Sequence, residues 1–326
     1  MNDARPARAA TRTWTAGPEH AGQRLDRALS DLVPEVSRTR LAAWIRAGEV
    51  TVSGRVVTRP AHPLEPGDRV EFARPAETRR SGGSAPIRVV LDDPDFALID
   101  KPAGVVCHPS EAVVGGTVSE QAVELFGDLP DVHSSDEDPD ARPGIVHRLD
   151  ARTSGIMVVA KTREFAEHLR EAFHDRRVRK TYLALVHGEP RFISDWIETP
   201  IERDPRSPDR MRVAKEGEGR EAATFYEVEE RLGPCTLLRV SPRTGRTHQI
   251  RVHLESIGLP IVGDAVYTGR RRVPPLPAGA PTIARQALHA WRLEFERPDG
   301  STVVGEVPLA DDVRALAAWL RENSGE

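Results

Sequence analysis

Residues Pro143 to Thr162, PGIVHRLDARTSGIMVVAKT, constrain this chain more than any other stretch. An apolar pair, Ile145 and Val146, leads into His147, Arg148, Leu149 and Asp150. A polar turn, Ala151 to Gly155, then gives way to a second apolar run, Ile156 to Ala160. Short apolar runs around turn-forming residues predict two strands joined by a tight bend, with one carboxylate on it. Gly155 frees the backbone there, and Thr153 and Ser154 can hydrogen-bond it locally, so Asp150 is expected to be held in place. Bends of this kind tend to carry function, although an aspartate in a turn also has a plainer use as a local cap.

The 326 residues suffice for two or three domains. No apolar run approaches the ~18 residues of a membrane-spanning helix, and the opening MNDARPARAATRT has no apolar core of a secretory signal. Residues 1–20 are expected to be a disordered lead. Cys107 and Cys235 lack CxxC spacing, which leaves neither a structural zinc site nor a disulfide framework and fits a reducing cytoplasm. A formal net charge of -4 excludes a protein that is basic all over, so any nucleic-acid surface must be local. Acids concentrate between Asp128 and Asp140, a stretch that reads as a solvated loop. Basic residues cluster elsewhere: Arg38, Arg40 and Arg46; Arg176 to Lys180; Arg243, Arg246 and Arg251; Arg270 to Arg272.

From Gln23, the residues Leu25, Ala28, Leu29 and Leu32 recur at helical spacing up to Pro34. Ser37 opens a second expected helix with Leu41, Trp44 and Ile45 inward and Arg38, Arg40 and Arg46 outward, ended by Gly48. Short strands follow at Val50 to Val52, Val56 to Val57 and Arg69 to Phe72. The pattern RLD…L, SR…I..G.V.V.G and PGD resembles the S4-type RNA-binding domain, a small alpha-L module, over residues 21–74. That resemblance implies that its arginines face structured RNA. Residues 75–86 are rich in Pro, Gly, Ser and charge and read as a linker to a second domain, 87–326.

In that domain Lys101-Pro102-Ala103-Gly104 precedes His108; Lys101 and His108 either touch RNA or edge the sheet. Thr117 and Glu120 form a capping box for a helix with Val118, Ala122 and Leu125 inward. Thr162 caps another, with Phe165, Leu169 and Phe173 on one face. Strict alternation over Lys180 to Gly188 predicts a strand with Tyr182, Ala184 and Val186 on one side. Thr247 is expected to cap a helix with Ile250, Leu254 and Ile257 inward; Arg251 has Glu255 as its plainest partner. His248 and His253, five apart, point to different faces and are not expected to bind metal.

H-R-L-D-x-x-T-S-G over residues 147–155 is the motif of the RluA-type RNA pseudouridine synthases, and every fixed position is filled. K-x-Y-x-A-x-V-x-G (Lys180 to Gly188), R-T-G-R-T-H-Q-I-R-V-H-L (Arg243 to Leu254), G-x-P-I-x-G-D-x-x-Y (Gly258 to Tyr267) and RQALHAWRLEF (Arg285 to Phe295) are similar to further segments of that family. Cys107 and the stretch Arg270 to Pro281 depart from its pattern. The resemblance implies an α+β catalytic domain built on a mixed, mainly antiparallel sheet. It implies Asp150 as the catalytic carboxylate, Arg251 as its partner and Tyr182 stacking on an extruded base. Arg148 is the implied wedge, and His147, Arg246 and His248 join Arg38, Arg40 and Arg46 as candidate RNA contacts.

The implied reaction is isomerisation of uridine to pseudouridine in 23S ribosomal RNA, by a monomer that needs no cofactor and works in the cytoplasm. Two alternatives are a synthase acting on tRNA and a non-catalytic RNA-binding or ribosome-assembly factor. A carboxylate in a pocket poorer in water than bulk has its charged form disfavoured, and a nearby guanidinium opposes that, which is why the chemistry needs an arginine partner. A glycosidase employs two carboxylates, whereas only one is singled out here.

Overall fold

In this computed structural model the described residues are 11–33, 38–46, 48–73, 83, 85–108, 115–132, 142–207, 210–215, 217–268 and 275–323. They form two compact units, Met1–Arg79 and Arg80–Glu326, divided within the expected linker. The side chains of Arg38 and Arg40, Ser37, most of the acidic stretch and Arg270 to Arg272 lie outside the described residues.

The first unit contains β1 (Thr11–Thr15), α1 (Leu25–Leu32), α2 (Arg38–Arg46), β2 (Val50–Val52), β3 (Arg55–Val56) and β4 (Arg69–Ala73). Its antiparallel sheet runs β1-β4-β2-β3. Leu25, Ala28, Leu29, Leu41, Trp44 and Ile45 from the two helices share a core with Val50, Val52, Val70 and Phe72, as their periodicity predicted. Arg46 is exposed. The lead expected to be disordered through residue 20 is corrected by β1. Thr11–Thr15 pairs with β4, Trp14 opposite Val70, and so covers an edge whose backbone groups would otherwise stand open.

In chain order the second unit contains β5 (Arg88–Asp92), β6 (Phe96–Lys101), α3 (Val118–Phe126), β7 (Ser154–Ala160), α4 (Arg163–His174), β8 (Arg179–His187) and β9 (Ser194–Ile197). There follow β10 (Ile201–Arg203), β11 (Met211–Val213), β12 (Thr224–Leu232), β13 (Cys235–Pro242), α5 (Gln249–Ser256), β14 (Leu288–Glu296), β15 (Thr302–Glu306) and α6 (Asp311–Asn323). The main sheet runs β5-β6-β7-β14-β8-β13-β12-β9, with β15 on β14. Among these pairings only β7 with β14 is parallel. Every residue of β7 is buried, as a strand covered on both faces requires. One core gathers β6, β7 and α4 around Phe96, Val158 and Phe165; a second packs α5 and α6 on β8 and β13, and a smaller one joins Ile201, Ala222, Val252 and Tyr267.

The capping expectations for α3 and α4 hold. Thr117 accepts from the Glu120 N–H, and Thr162 from the Phe165 N–H. Three local expectations are corrected. Ile145 makes only an isolated bridge to Val159, and the chain after it is not a strand. The Leu149 N–H and C=O instead bond the Cys107 thiol, both at 3.3 Å. Leu125 is 53% exposed, because Ser119 occupies the inward face of α3 and donates to the Pro143 carbonyl. Ile257 is 44% exposed, beyond the end of α5.

Candidate active site

The bend carrying Asp150 is gripped on both sides by one segment of the chain. Lys101, at the end of β6, is fully buried and donates through Nζ to the carbonyls of Pro102, Val105 and Ala151 at 3.1, 2.8 and 3.0 Å. The Gly104 N–H also reaches the Ala151 carbonyl, at 2.8 Å. Cys107 holds Leu149. Lys101 therefore does not reach solvent, and three carbonyls take its three hydrogens. On the far side the bend enters β7 through Gly155, at φ 121°, where a Cβ would lie 2.1 Å from the Ala290 carbonyl oxygen. Only glycine fits so close a parallel neighbour.

Arg251 meets Asp150 from α5. Residues Gln249 to Leu254 are all buried, so the helix is enclosed all round and its arginine points into the interior. Nη1 donates to Asp150 Oδ2 at 2.9 Å, while Nε and Nη2 grip the buried Asp264 at 2.7 and 2.9 Å. Burial alone would lower the affinity of the guanidinium for its proton, and the hydrogen bonds and charge of Asp264, with Asp150, more than reverse that. Asp264 sits below the usual carboxylate range. Burial pushes it up, but Arg251 and the N–H groups of Val266 and Tyr267 outweigh it. Glu255, the plain partner suggested by spacing, lies 3.8 Å from Arg210.

Tyr182 and His248 share the cleft with this pair. Tyr182 lies on β8 opposite Val240 of β13. Its hydroxyl stays protonated, pushed up by burial and by the nearby negative charge of Asp150. His248 Nε2 lies 3.8 Å from Asp150 Oδ2, and its Nδ1 meets the Tyr267 hydroxyl at 3.0 Å. In place of the expected Thr247 cap, His248 occupies the N-cap of α5 in a left-handed conformation, φ 55°. The Gln249 side chain organises that entry, accepting from Thr244 and the Arg246 N–H. His253 is structural: its ring nitrogens meet Thr224 Oγ1 and the Thr199 carbonyl.

The cleft measures about 560 Å³ and is lined by Arg148, Arg176, Arg243, Arg246, Arg251 and Lys180 against one carboxylate, Asp150. A protein of net negative charge thus concentrates positive charge in one groove. Arg148 is exposed beside Asp150. Arg246 also lines the groove, with Nε on the Glu221 carbonyl. His147 is built into the wall: Nε2 accepts the Val158 N–H at 3.0 Å and the ring stacks on Phe173. Burial lowers its pKa to about 3, which keeps it a neutral acceptor rather than a cation for phosphate. In the sequence Asp264 and Tyr267 are letters of a motif with no role attached. Lys101 ends β6, and its buried ammonium holds the Asp150 bend, a role its own segment does not signal.

A model of the RNA pseudouridylate synthase family matches residues 95–256, and the S4 domain matches residues 23–70. The ribosomal large subunit pseudouridine synthase D of Xanthomonas campestris is 38% identical over 312 residues, covering 93% of this chain and 91% of its own length. The protein of the same name from Nitrosomonas europaea is 40% identical over 306 residues, covering 92% and 85%. Among solved structures, human RNA pseudouridylate synthase domain containing 4 superposes with a TM-score of 0.56 at 25% identity, over 72% of this chain and 93% of that one.

Proposed function

This chain belongs to the RNA pseudouridylate synthase family and is an isomerase, and from that premise we propose that it converts uridine to pseudouridine in large-subunit ribosomal RNA, with Asp150 as its catalytic carboxylate and no cofactor. The observation that carries the proposal is the one carboxylate of a groove whose other charged lining residues are cations, held by a buried guanidinium at 2.9 Å.

A stacked uracil cannot reach a carboxylate on the protein, so the target nucleotide must leave its helix, at a cost of a few kcal/mol. The arginines of the groove bind phosphate, Arg148 fills the gap, and Tyr182 stacks on the flipped ring; such stacking contributes roughly 1 to 3 kcal/mol per base. The bond from ribose C1′ to N1 breaks and one from C1′ to C5 forms. N1 gains a proton and C5 loses one, so the change is redox-neutral. Whether Asp150 attacks the sugar, attacks the ring or removes a ribose proton, each route needs the same unprotonated carboxylate. Arg251 serves all three by stabilising it.

The S4 domain adds affinity for structured RNA. A ribosomal RNA substrate puts the protein in the cytoplasm. Asp150, Arg251 and Tyr182 all come from one chain, which accords with work as a monomer.

Asp150→Asn tests the core of the reading. RNA affinity should stay close to wild type while product formation disappears, and turnover persisting in that variant ends the assignment. Mapping pseudouridines in ribosomal and transfer RNA from cells with and without the gene decides the substrate.

A further inference from the structure

The turn Gly263 to Tyr267 reaches Asp150 along two paths. Asp264 acts through Arg251, as described. Tyr267 acts through His248, and its geometry decides where a proton sits. Tyr267 is 1% exposed, and its hydroxyl oxygen accepts the Met211 N–H at 2.8 Å. Among the described residues the hydroxyl's own hydrogen has His248 Nδ1, 3.0 Å away, as its acceptor. Nδ1 is then the bare nitrogen, and a neutral imidazole carries its single hydrogen on Nε2. That nitrogen faces Asp150 Oδ2 at 3.8 Å, too far for a direct hydrogen bond but spaced for an oxygen atom to bridge the two.

Two further observations agree. His248 is held at φ 55°, ψ 17°, a left-handed conformation that is strained for a residue with a Cβ and persists where the surroundings over-determine it. Its ring also packs edge-on against Tyr267, with centroids 5.6 Å apart. Burial lowers the pKa of His248 against the opposing pull of Asp150, and burial raises that of Tyr267 to about 12; both groups therefore stay neutral near pH 7.

We propose that Tyr267 is a positioning residue that locks His248 in the Nε2–H tautomer, and that His248 is a catalytic residue whose Nε2–H donates to a sugar hydroxyl of the target nucleotide while that hydroxyl donates to Asp150. Met211 N–H, Tyr267 and His248 thus form a relay that orients the ribose on the carboxylate. Its meaning for catalysis rests on Asp150 as the reacting carboxylate, yet the tautomer is read without substrate. Turnover in Asp150→Asn would therefore sink that reading and leave the relay to be judged by its own spectrum.

The test is long-range proton–nitrogen NMR on full-length protein carrying ¹⁵N-histidine, with His248 assigned by the signals lost in His248→Gln. Wild type should show a bare Nδ1 and a protonated Nε2, and Tyr267→Phe should move that pattern toward Nδ1–H. With a target-stem RNA, both Tyr267→Phe and His248→Gln should lower kcat, the latter by about 100-fold as for loss of one aligned donor, with KM within about twofold. The double variant should lose no more than His248→Gln alone. A wild-type Nδ1–H pattern overturns the proposal, as do multiplicative losses in the double variant or a fall in RNA affinity that accounts for the whole effect. If Tyr267→Phe does not fold, the wild-type spectrum and His248→Gln decide.

Discussion

Arg251 Nη1 lies 2.9 Å from Asp150 Oδ2, across 101 residues of chain, while the rest of the same guanidinium is locked on Asp264. The fork cannot follow Asp150 if that carboxylate drifts, so Asp150 is oriented by a group that is itself fixed. Arg251→Met leaves the buried Asp264 without its partner and should destabilise the protein by about 3–5 kcal/mol. Arg251→Lys keeps a charge but loses the planar fork. It should unfold at a urea concentration between wild type and Arg251→Met, and fall well below wild type in turnover. Equal urea midpoints for all three would show that Asp264 does not depend on the pair.

Gly155 lies against Ala290 more closely than any Cβ allows. Gly155→Ala must push β7 and β14 apart at the foot of the bend that carries Asp150, and at φ 121° the new side chain is strained as well. A loss on the order of 3 kcal/mol or more is expected. A thermal midpoint within a degree or two of wild type would contradict the tight parallel register.

Lys180 lines the groove without a carboxylate partner among the described residues, and burial lowers its pKa from 10.5 to about 8. Its ammonium form attracts phosphate below that pH and is lost above it. The affinity of wild type for RNA should therefore weaken as pH rises through about 8, and Lys180→Gln should lack that component. Titrations of RNA by fluorescence anisotropy at a series of pH values check the sign; parallel curves for the two proteins would remove Lys180 from the RNA surface.

The first unit has its own core, so Arg80–Glu326 can be produced without it. Removal of Met1–Arg79 should weaken RNA binding and flatten the dependence of log affinity on log salt, since each lost phosphate contact takes about 0.9 from the slope for a duplex. An unchanged slope would exclude the S4 domain from the RNA interface.

Local chemistry was legible in the chain itself. Alternation placed Tyr182 on a strand, Thr117 and Thr162 announced their helices, and a nine-residue motif marked Asp150. These signals depend on neighbours a few residues apart, which is the range over which periodicity and capping act. Thr11–Thr15 escaped notice because a short edge strand is defined by the partner it pairs with, here β4.

Tertiary structure alone decided the rest. Spacing offered Arg251 a partner four residues on and the family resemblance offered Asp150; enclosure of α5 turned it to Asp150 and added Asp264, which neither signal named. Its own segment left Lys101 as either an RNA contact or a sheet edge, whereas three carbonyls surround it, and His147 is a buried acceptor. The residue types and their order along the chain were enough to say which chemistry is present. Which donor meets which acceptor was settled only when burial removed water and left these polar groups to find partners across the fold.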